Sequence, residues 1–118
     1  LPEMLPFIRS GKLNAIAVTS LKRAEVMPEL PTVDESGLRG YAATSWQGVL
    51  APAKTPQSIV MKLNREISDS FNRPDTKEAL LKLGAVASPS TPDEMRAFIK
   101  AELAKWTPVI KAAGIKAD

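Results

Sequence analysis

The sequence predicts an α/β fold, because a strand of the buried type is followed by helices with strong start signals. Residues 13–20, LNAIAVTS, form a nearly continuous apolar run that ends in hydroxyl residues, which is typical of a strand covered on both faces. Two Thr-Pro pairs, at 55–56 and 91–92, each place an N-cap residue before a proline at the first helical position. A buried strand combined with amphipathic helices favours α/β layering.

The chain has 118 residues, of which 44% are hydrophobic, so it can build the core of one domain or of part of one. At its front, LPEMLPFIRSG carries Arg9 and then Gly11, the cationic last turn and the glycine that end helices. This is the pattern of the last turns of a helix whose beginning is missing. We therefore expect the chain to be a fragment or a processed product.

A charged, turn-rich stretch at 21–40 contains the motif PTVDESG. The Thr32 hydroxyl can accept from the Glu35 N–H while the Glu35 carboxylate accepts from the Thr32 N–H, which predicts a capping box. Gly37 is expected to end the helix after about one turn. The functional alternative is that Asp34 and Glu35 are paired carboxylates for acid/base work. Adjacent residues on a helix do not face each other, which favours the capping box.

Two helices are predicted after residue 54. The first begins at Thr55 and Pro56 and ends near Asn72, and the second, PDTKEALLKLG, runs from Pro74 to a stop at Gly84. The residues expected to face inward are Val60, Leu63, Ile67 and Phe71 in the first helix and Leu80, Leu81 and Leu83 in the second. AVASP, which follows them, is expected to be an edge strand at best.

The last helix is the clearest element, with Thr91 as N-cap and Glu94 completing a capping box. Because Pro108 cannot donate to the carbonyl four residues back, a kink or break is expected just before it, with a final turn that Gly114 ends. The inward stripe is predicted to contain Met95, Phe98, Ile99, Leu103 and Trp106. Trp106 is therefore interpreted as a packing anchor. The polar face mixes acids with bases, which disfavours docking of this helix on a membrane.

The stretch at 41–56, YAATSWQGVLAPAKTP, holds one of the two tryptophans. Val49 and Leu50 favour a strand, and the prolines that follow mark a turn into the next helix. Neither observation explains Trp46. Its ring either packs in the core or lines a cleft that opens and closes.

Composition excludes several classes of function. The net charge of +3 comes from 16 basic and 13 acidic residues spread along the chain, which is typical of solvated surfaces and not of a nucleic-acid footprint. There is no Cys and no His, so disulfides, thiolate chemistry, the usual zinc sites and His-based catalysis are excluded. No apolar run approaches the roughly 20 residues that span a bilayer. We expect no metal ion, no cofactor and no catalytic residue.

Three separated motifs together resemble the C-terminal part of one protein family. They are IRSGKLNAIAVTSLKR, then LPTVDESGLRGYAATSWQGVLAPAKTP, then LLKLGAVASPSTPDEMRAFIKAELAKWTPVIKAAGIK. The family comprises the substrate-binding proteins of tripartite tricarboxylate transporters, also called Bug receptors. The resemblance covers essentially the whole chain.

The resemblance implies a periplasmic solute receptor with the two-lobed, type II periplasmic-binding-protein fold, of which this chain would be the C-terminal part. Residues 1–40 would form the tail of the second lobe. Residues 41–118 would supply the crossover strand and the C-terminal helices of the first lobe. Such a receptor binds a small carboxylate and delivers it to the membrane permease subunits of its transporter, without catalysis. The family's main ligand loops come before Leu1 in the family's order, and no residues of this sequence match them.

Four residues are candidates for ligand contact. Ser45 and Trp46, on the return crossover, would lie near the floor of the cleft, where a hydroxyl can donate to a carboxylate and a rigid ring can shape the pocket. Trp46 could equally be a wedge packed under the hinge. Thr19 and Ser20 end a strand at its carboxyl side, where ligands of open α/β sheets lie.

Other interpretations stay open beside this one. Arg9, Arg23 and Arg39 could each grip a carboxylate bidentately, although a surface role is favoured for each. A module that binds no ligand could self-associate through exposed apolar faces. A small enzyme is disfavoured, because the remaining carboxylates, lysines, serines and Tyr41 show no recognisable catalytic spacing. The sequence does not name the solute.

Overall fold

A computed structural model of the chain describes residues 3–116. Within that range it contains four α-helices: α1 (Leu5–Arg9), α2 (Gln57–Asn72), α3 (Pro74–Lys82) and α4 (Pro92–Ala112). The predicted helix end at the front begins at Leu1, and residues 1 and 2 lie outside the described residues. The end of α1, both ends of α2 and α3, and the start of α4 lie within a residue or two of their predicted positions. Helix α1 begins at Leu5, after a turn at residues 3 and 4, so it is shorter than the predicted helix end.

The described residues form two compact units. Unit 1 comprises 3–51 and 70–88, and therefore contains α1, α3, the irregular chain at 10–51 and the end of α2. Unit 2 comprises 52–69 and 89–116, and contains most of α2 together with α4. The residues predicted to contact a ligand all lie in unit 1.

Glycines end the helices as the sequence predicts. After α1, the Gly11 N–H donates to the Ile8 carbonyl at 3.0 Å, and the Lys12 N–H donates to the Phe7 carbonyl at 2.9 Å. This pair of bonds is the Schellman motif, which satisfies the carbonyls that a helix end leaves without partners. The same pair of hydrogen bonds ends α3 at Gly84 and α4 at Gly114.

The predicted strand at 13–20 forms much less pairing than expected. Among the described residues, its β-pairing is one isolated parallel bridge, between Val18 and Thr32. Ile16 is 86% exposed, so the prediction that both faces of this segment are covered is wrong for this chain. The 41–52 and 85–89 segments are likewise irregular. A strand is stable only where neighbours accept its backbone hydrogen bonds, so the α/β class is not confirmed by these helices and one bridge.

Side-chain burial departs from the predicted stripes at several positions. Three of the four inward residues predicted for α2 are half-buried, whereas Leu63 is exposed. In α3, Leu80 and Leu81 are half-buried but Leu83 is exposed, so the prediction for Leu83 is wrong. Leu83 is the C-cap residue of α3, beyond the last residue of the helical face.

Helix α4 begins as predicted but does not break at its proline. The Thr91 hydroxyl accepts from the Glu94 N–H at 3.2 Å, and the Thr91 N–H donates to Glu94 Oε2 at 2.8 Å, which confirms the capping box. The sequence predicts a kink or a break before Pro108. Pro108 lies inside the helix, which continues to Ala112, so the break is wrong and the kink stays a prediction. Just before it, the Thr107 hydroxyl donates to the Leu103 carbonyl at 2.6 Å.

Few side chains of the described chain are fully buried. Leu5, Val18 and Thr32 are the buried ones, and all three belong to unit 1. Thr32 is the one polar member, and its hydrogen-bonding groups are engaged in the capping box described below. The small core of unit 1 therefore centres on the bridge between Val18 and Thr32.

Candidate functional site

The end of the predicted strand lies between two other segments of unit 1. On one side, the Val18 N–H donates to the Pro31 carbonyl at 2.9 Å, and the Val33 N–H donates to the Val18 carbonyl at 3.0 Å. On the other side, the Ala43 N–H donates to the Thr19 carbonyl at 2.9 Å. Neighbouring residues of an extended chain direct their backbone groups to opposite sides, which explains how both segments are held. The candidate site is built where these three segments meet.

The bond between Thr19 and Ala43 places the predicted ligand residues on two adjacent segments. Thr19 is exposed, and Ser20 is half-buried with its hydroxyl donating to the Lys22 carbonyl at 2.7 Å. Ser45 is exposed, and Trp46 is 42% exposed. The Ser20 proton is therefore engaged locally, while the Trp46 ring still offers part of its surface to a neighbour.

The capping box at 32–35 anchors the segment next to Val18. The Thr32 N–H donates to Glu35 Oε2 at 2.9 Å, and the Thr32 hydroxyl accepts from the Glu35 N–H at 3.0 Å, so the predicted box is confirmed. The hydrogen bond from the Thr32 N–H, assisted by Arg23, lowers the pKa of Glu35 below its ordinary value. The paired-carboxylate alternative has no support, because Asp34 and Glu35 have different partners.

Arg23 joins this turn to the loop that precedes it. Its Nε–H lies 2.9 Å from Oε2 and 3.3 Å from Oε1 of Glu35, and its Nη1 donates to the Pro28 carbonyl at 3.1 Å. Both side chains of this ion pair are about half exposed, so its contribution to stability is small. The surface role predicted for Arg23 agrees with this geometry, since its guanidinium already grips a carboxylate of its own chain.

Asp34 holds the far end of the same turn. Its Oδ1 accepts from the Gly40 N–H at 2.6 Å, and its Oδ2 lies 3.5 Å from Nη1 of Arg39. Sequence reasoning missed both contacts of Asp34 and the pairing of Arg23 with Glu35. The acidic and hydroxyl-rich motif was visible, but the partners lie five, six and twelve residues away and no local pattern specifies them.

A separate cavity of about 330 Å³ lies elsewhere in unit 1. Its lining is mostly apolar and comprises Glu25, Lys77, Glu78, Leu81, Ala85, Val86 and Ala87. The Lys82 ammonium, 2.6 Å from Glu78, lowers the pKa of that carboxylate. None of the predicted ligand residues lines this cavity, so it is distinct from the candidate site.

The candidate site offers polar groups and one aromatic ring to a neighbour. Between residues 3 and 116, no group of three or more Asp or Glu side chains is arranged to hold a metal ion. None of the helices described has the length and apolarity needed to cross a membrane. The segments present hydroxyls, backbone N–H groups and an indole, which can bind a polar solute.

Comparison with known proteins identifies the family. The sequence profile of the tripartite tricarboxylate transporter family receptor, TctC, matches residues 1–115. The chain belongs to this receptor family. It is 36% identical over 116 residues to protein BugT of Bordetella pertussis, covering 98% of this chain and 36% of BugT. A protein from the tcbD-tcbE intergenic region of Pseudomonas sp. (strain P51) is 38% identical over 104 residues, covering 87% of this chain and 31% of that protein.

Solved structures of similar proteins share the backbone arrangement. R. palustris Rpa4515, solved with adipate, matches 98% of this chain at 36% identity with a TM-score of 0.86. The periplasmic binding protein BugD matches 98% at 36% identity with a TM-score of 0.82. MatC from Rhodopseudomonas palustris, solved with bound malate, matches 92% at 32% identity with a TM-score of 0.78. The chain spans 38 to 39% of these three structures, and 31 to 36% of the two curated relatives.

The resemblance to this family, predicted from the three motifs, is therefore confirmed. The family model describes a transporter receptor, and the structural neighbour BugD is a periplasmic binding protein. Two of the structural neighbours were solved with carboxylates, adipate and malate.

Proposed function

We propose that the chain is the C-terminal portion of a periplasmic receptor that binds a small carboxylate and delivers it to the permease subunits of a tripartite tricarboxylate-type transporter. The observation that carries the proposal is the family match over residues 1–115, together with neighbours solved with adipate and malate. The proposal includes the predicted two-lobed α/β architecture. In it, 1–40 is the tail of the second lobe, and 41–118 holds the crossover and C-terminal helices of the first.

The proposed ligand contacts are Ser45 and Trp46, with Thr19 and Ser20 as secondary candidates. The 2.9 Å bond from the Ala43 N–H to the Thr19 carbonyl supports their grouping, because it holds their two segments side by side. Ser45 is exposed and its hydroxyl can donate to a carboxylate. The partly exposed Trp46 ring can form an apolar wall for a dicarboxylate chain.

Titration of the full-length receptor with dicarboxylates tests the proposal. Adipate and malate, with tricarboxylates, amino acids and aromatic acids as further solutes, are added while Trp fluorescence and thermal midpoint are recorded. We expect at least one carboxylate to raise the midpoint and change the fluorescence. We expect S45A and W46F to weaken that response, while S58A, an exposed serine of α2 in unit 2, leaves it unchanged. The proposal is contradicted if no solute of this panel changes the fluorescence or the thermal midpoint of the receptor.

Self-association is a second candidate, favoured by the exposure of apolar residues in unit 1. Ile16 is 86% exposed, Val49 74% and Leu50 73%, all on irregular segments whose backbone groups could pair with another chain. Light scattering on the 118-residue chain separates the two functions. Self-association is supported if the chain forms oligomers and the I16D or V49D substitution lowers the oligomeric fraction. A monomer with cooperative unfolding would contradict it.

A further inference from the structure

We propose that Asp34 is a positioning residue of the candidate site, which fixes the point where the segment bearing Ser45 and Trp46 leaves the turn. The inference rests on the proposed function for its ligand readout. Its starting point is the hydrogen bond from the Gly40 N–H to Asp34 Oδ1, which is 2.6 Å long. The Asp34 side chain is 24% exposed, and its contact with the exposed Gly40 lies at the surface of unit 1.

The bond to Gly40 is one of three that determine the path of the following segment. The Tyr41 N–H donates to the Leu38 carbonyl at 3.1 Å, and the Ala43 N–H donates to the Thr19 carbonyl at 2.9 Å. Three backbone donors within four residues are thus held by the turn or by the neighbouring segment. Ser45 and Trp46 follow directly, so a shift at Gly40 is passed to them along a short stretch of chain.

The other end of the turn is fixed to the neighbouring segment. Thr32 forms the parallel bridge with Val18, and its carbonyl accepts from both the N–H and the hydroxyl of Ser36. Asp34 lies between this fixed end and Gly40. Its carboxylate therefore links the turn that pairs with Val18 to the start of the segment that leads to Trp46.

Arg39 does not replace this function. Its Nη1 lies 3.5 Å from Asp34 Oδ2, and the Arg39 side chain is largely exposed. A pair of this kind is weak and is screened by salt. The contact that positions the segment is therefore the accepted N–H bond, which an uncharged oxygen at the same place can also make.

The experiment compares D34A with D34N in the full-length receptor. Asn keeps an oxygen at the position of Oδ1 and removes the charge, whereas Ala removes the acceptor. Both variants are made with W106F, so that Trp46 is the one tryptophan of these 118 residues. We expect D34A to weaken adipate or malate binding about tenfold and D34N to bind within about twofold of its parent.

A ligand-free readout separates failure of this inference from failure of the proposed function. The emission maximum of Trp46 and its quenching by acrylamide are expected to change in D34A and to stay at the parent values in D34N. A global loss of stability does not alter the emission of molecules that remain folded. If the parent binds no solute, the proposed function fails. The emission of D34A and D34N still shows whether Asp34 positions Trp46.

Two results would overturn the inference. One is a D34A variant with the affinity and emission of its parent, and the other is a D34N variant impaired as much as D34A. If D34A does not fold, D34E takes its place, because it keeps the charge but moves the oxygen by one methylene. D34E is then expected to bind more weakly than D34N, and equal binding by the two would refute the positioning function.

Discussion

Asn64 donates a 2.7 Å hydrogen bond from Nδ2 to the Ser90 carbonyl, and so joins α2 to the residue before the N-cap of α4. The amide is half-buried, and both residues belong to unit 2. We expect N64A to lower the free energy of unfolding by about 1–2 kcal/mol, because it leaves the carbonyl without its donor. Urea unfolding measures this. R65A, which removes an exposed ion pair one residue away, is the control and is expected to change it by less than about 0.5 kcal/mol.

The N-cap of α4 gives a second prediction. T91A removes the hydroxyl that accepts from the Glu94 N–H, and is expected to cost about 1 kcal/mol of stability. T91S keeps the hydroxyl and is the matched control. Thermal unfolding of both variants checks the prediction, which is contradicted if T91A unfolds at the same midpoint as T91S.

Acid is expected to weaken both capping boxes. Backbone hydrogen bonds from Thr32 and Thr91 lower the pKa of Glu35 and of Glu94 below the ordinary value of 4.5. A carboxylate whose pKa is lower in the folded state adds stability above its unfolded pKa, and this is lost as the pH falls through the folded pKa. Urea midpoints should therefore fall below about pH 4.5, and the fall should be smaller in E35Q and in E94Q. An E35Q/E94Q variant with the same acid dependence as the parent would contradict this.

A side chain at Gly40 is expected to strain the backbone. Its φ is +80°, where a Cβ approaches the following carbonyl, although no other atom lies within 4 Å of that Cβ position. We expect G40A to lower stability by about 1–2 kcal/mol through backbone strain alone. G48A is the control, because Gly48 is not among the described glycines with positive φ. Equal stability of the two variants would show that the turn does not need this conformation.

The features that the sequence predicted correctly are those in which both partners lie within one turn of a helix. Thr91 and Glu94 are three residues apart, and a capping box needs nothing beyond those two side chains and their own backbone. Helix ends followed the same logic, since Gly11 and Gly84 interact with carbonyls of the turn before them. Local patterns are sufficient where the interaction itself is local.

Contacts between distant parts of the chain could not be predicted in this way. Arg23 pairs with a carboxylate twelve residues on, and Asn64 with a carbonyl 26 residues on. The exposure of Ile16 was also missed. An apolar run predicts that a segment will be buried, but it does not show which residues of the described chain would cover it. Pro108 was expected to kink or break α4, and the helix continues past it without a break.

The candidate site follows the same division. The resemblance to the family singled out Thr19, Ser20, Ser45 and Trp46, and their contact with a ligand stays a prediction. The hydrogen bond from Ala43 to Thr19 shows that the two segments are neighbours, which spacing alone could not reveal. Asp34 carried no sequence signal for its bond to Gly40.

The proline within α4 has a consequence for local opening. Pro108 has no N–H to donate to the carbonyl of Ala104. One backbone hydrogen bond is therefore missing between the last turn and the rest of the helix. Amide protons at 109–112 should therefore exchange with deuterium sooner than those at 97–103. The tail of the helix would then fray as a unit of its own while the capped end stays closed.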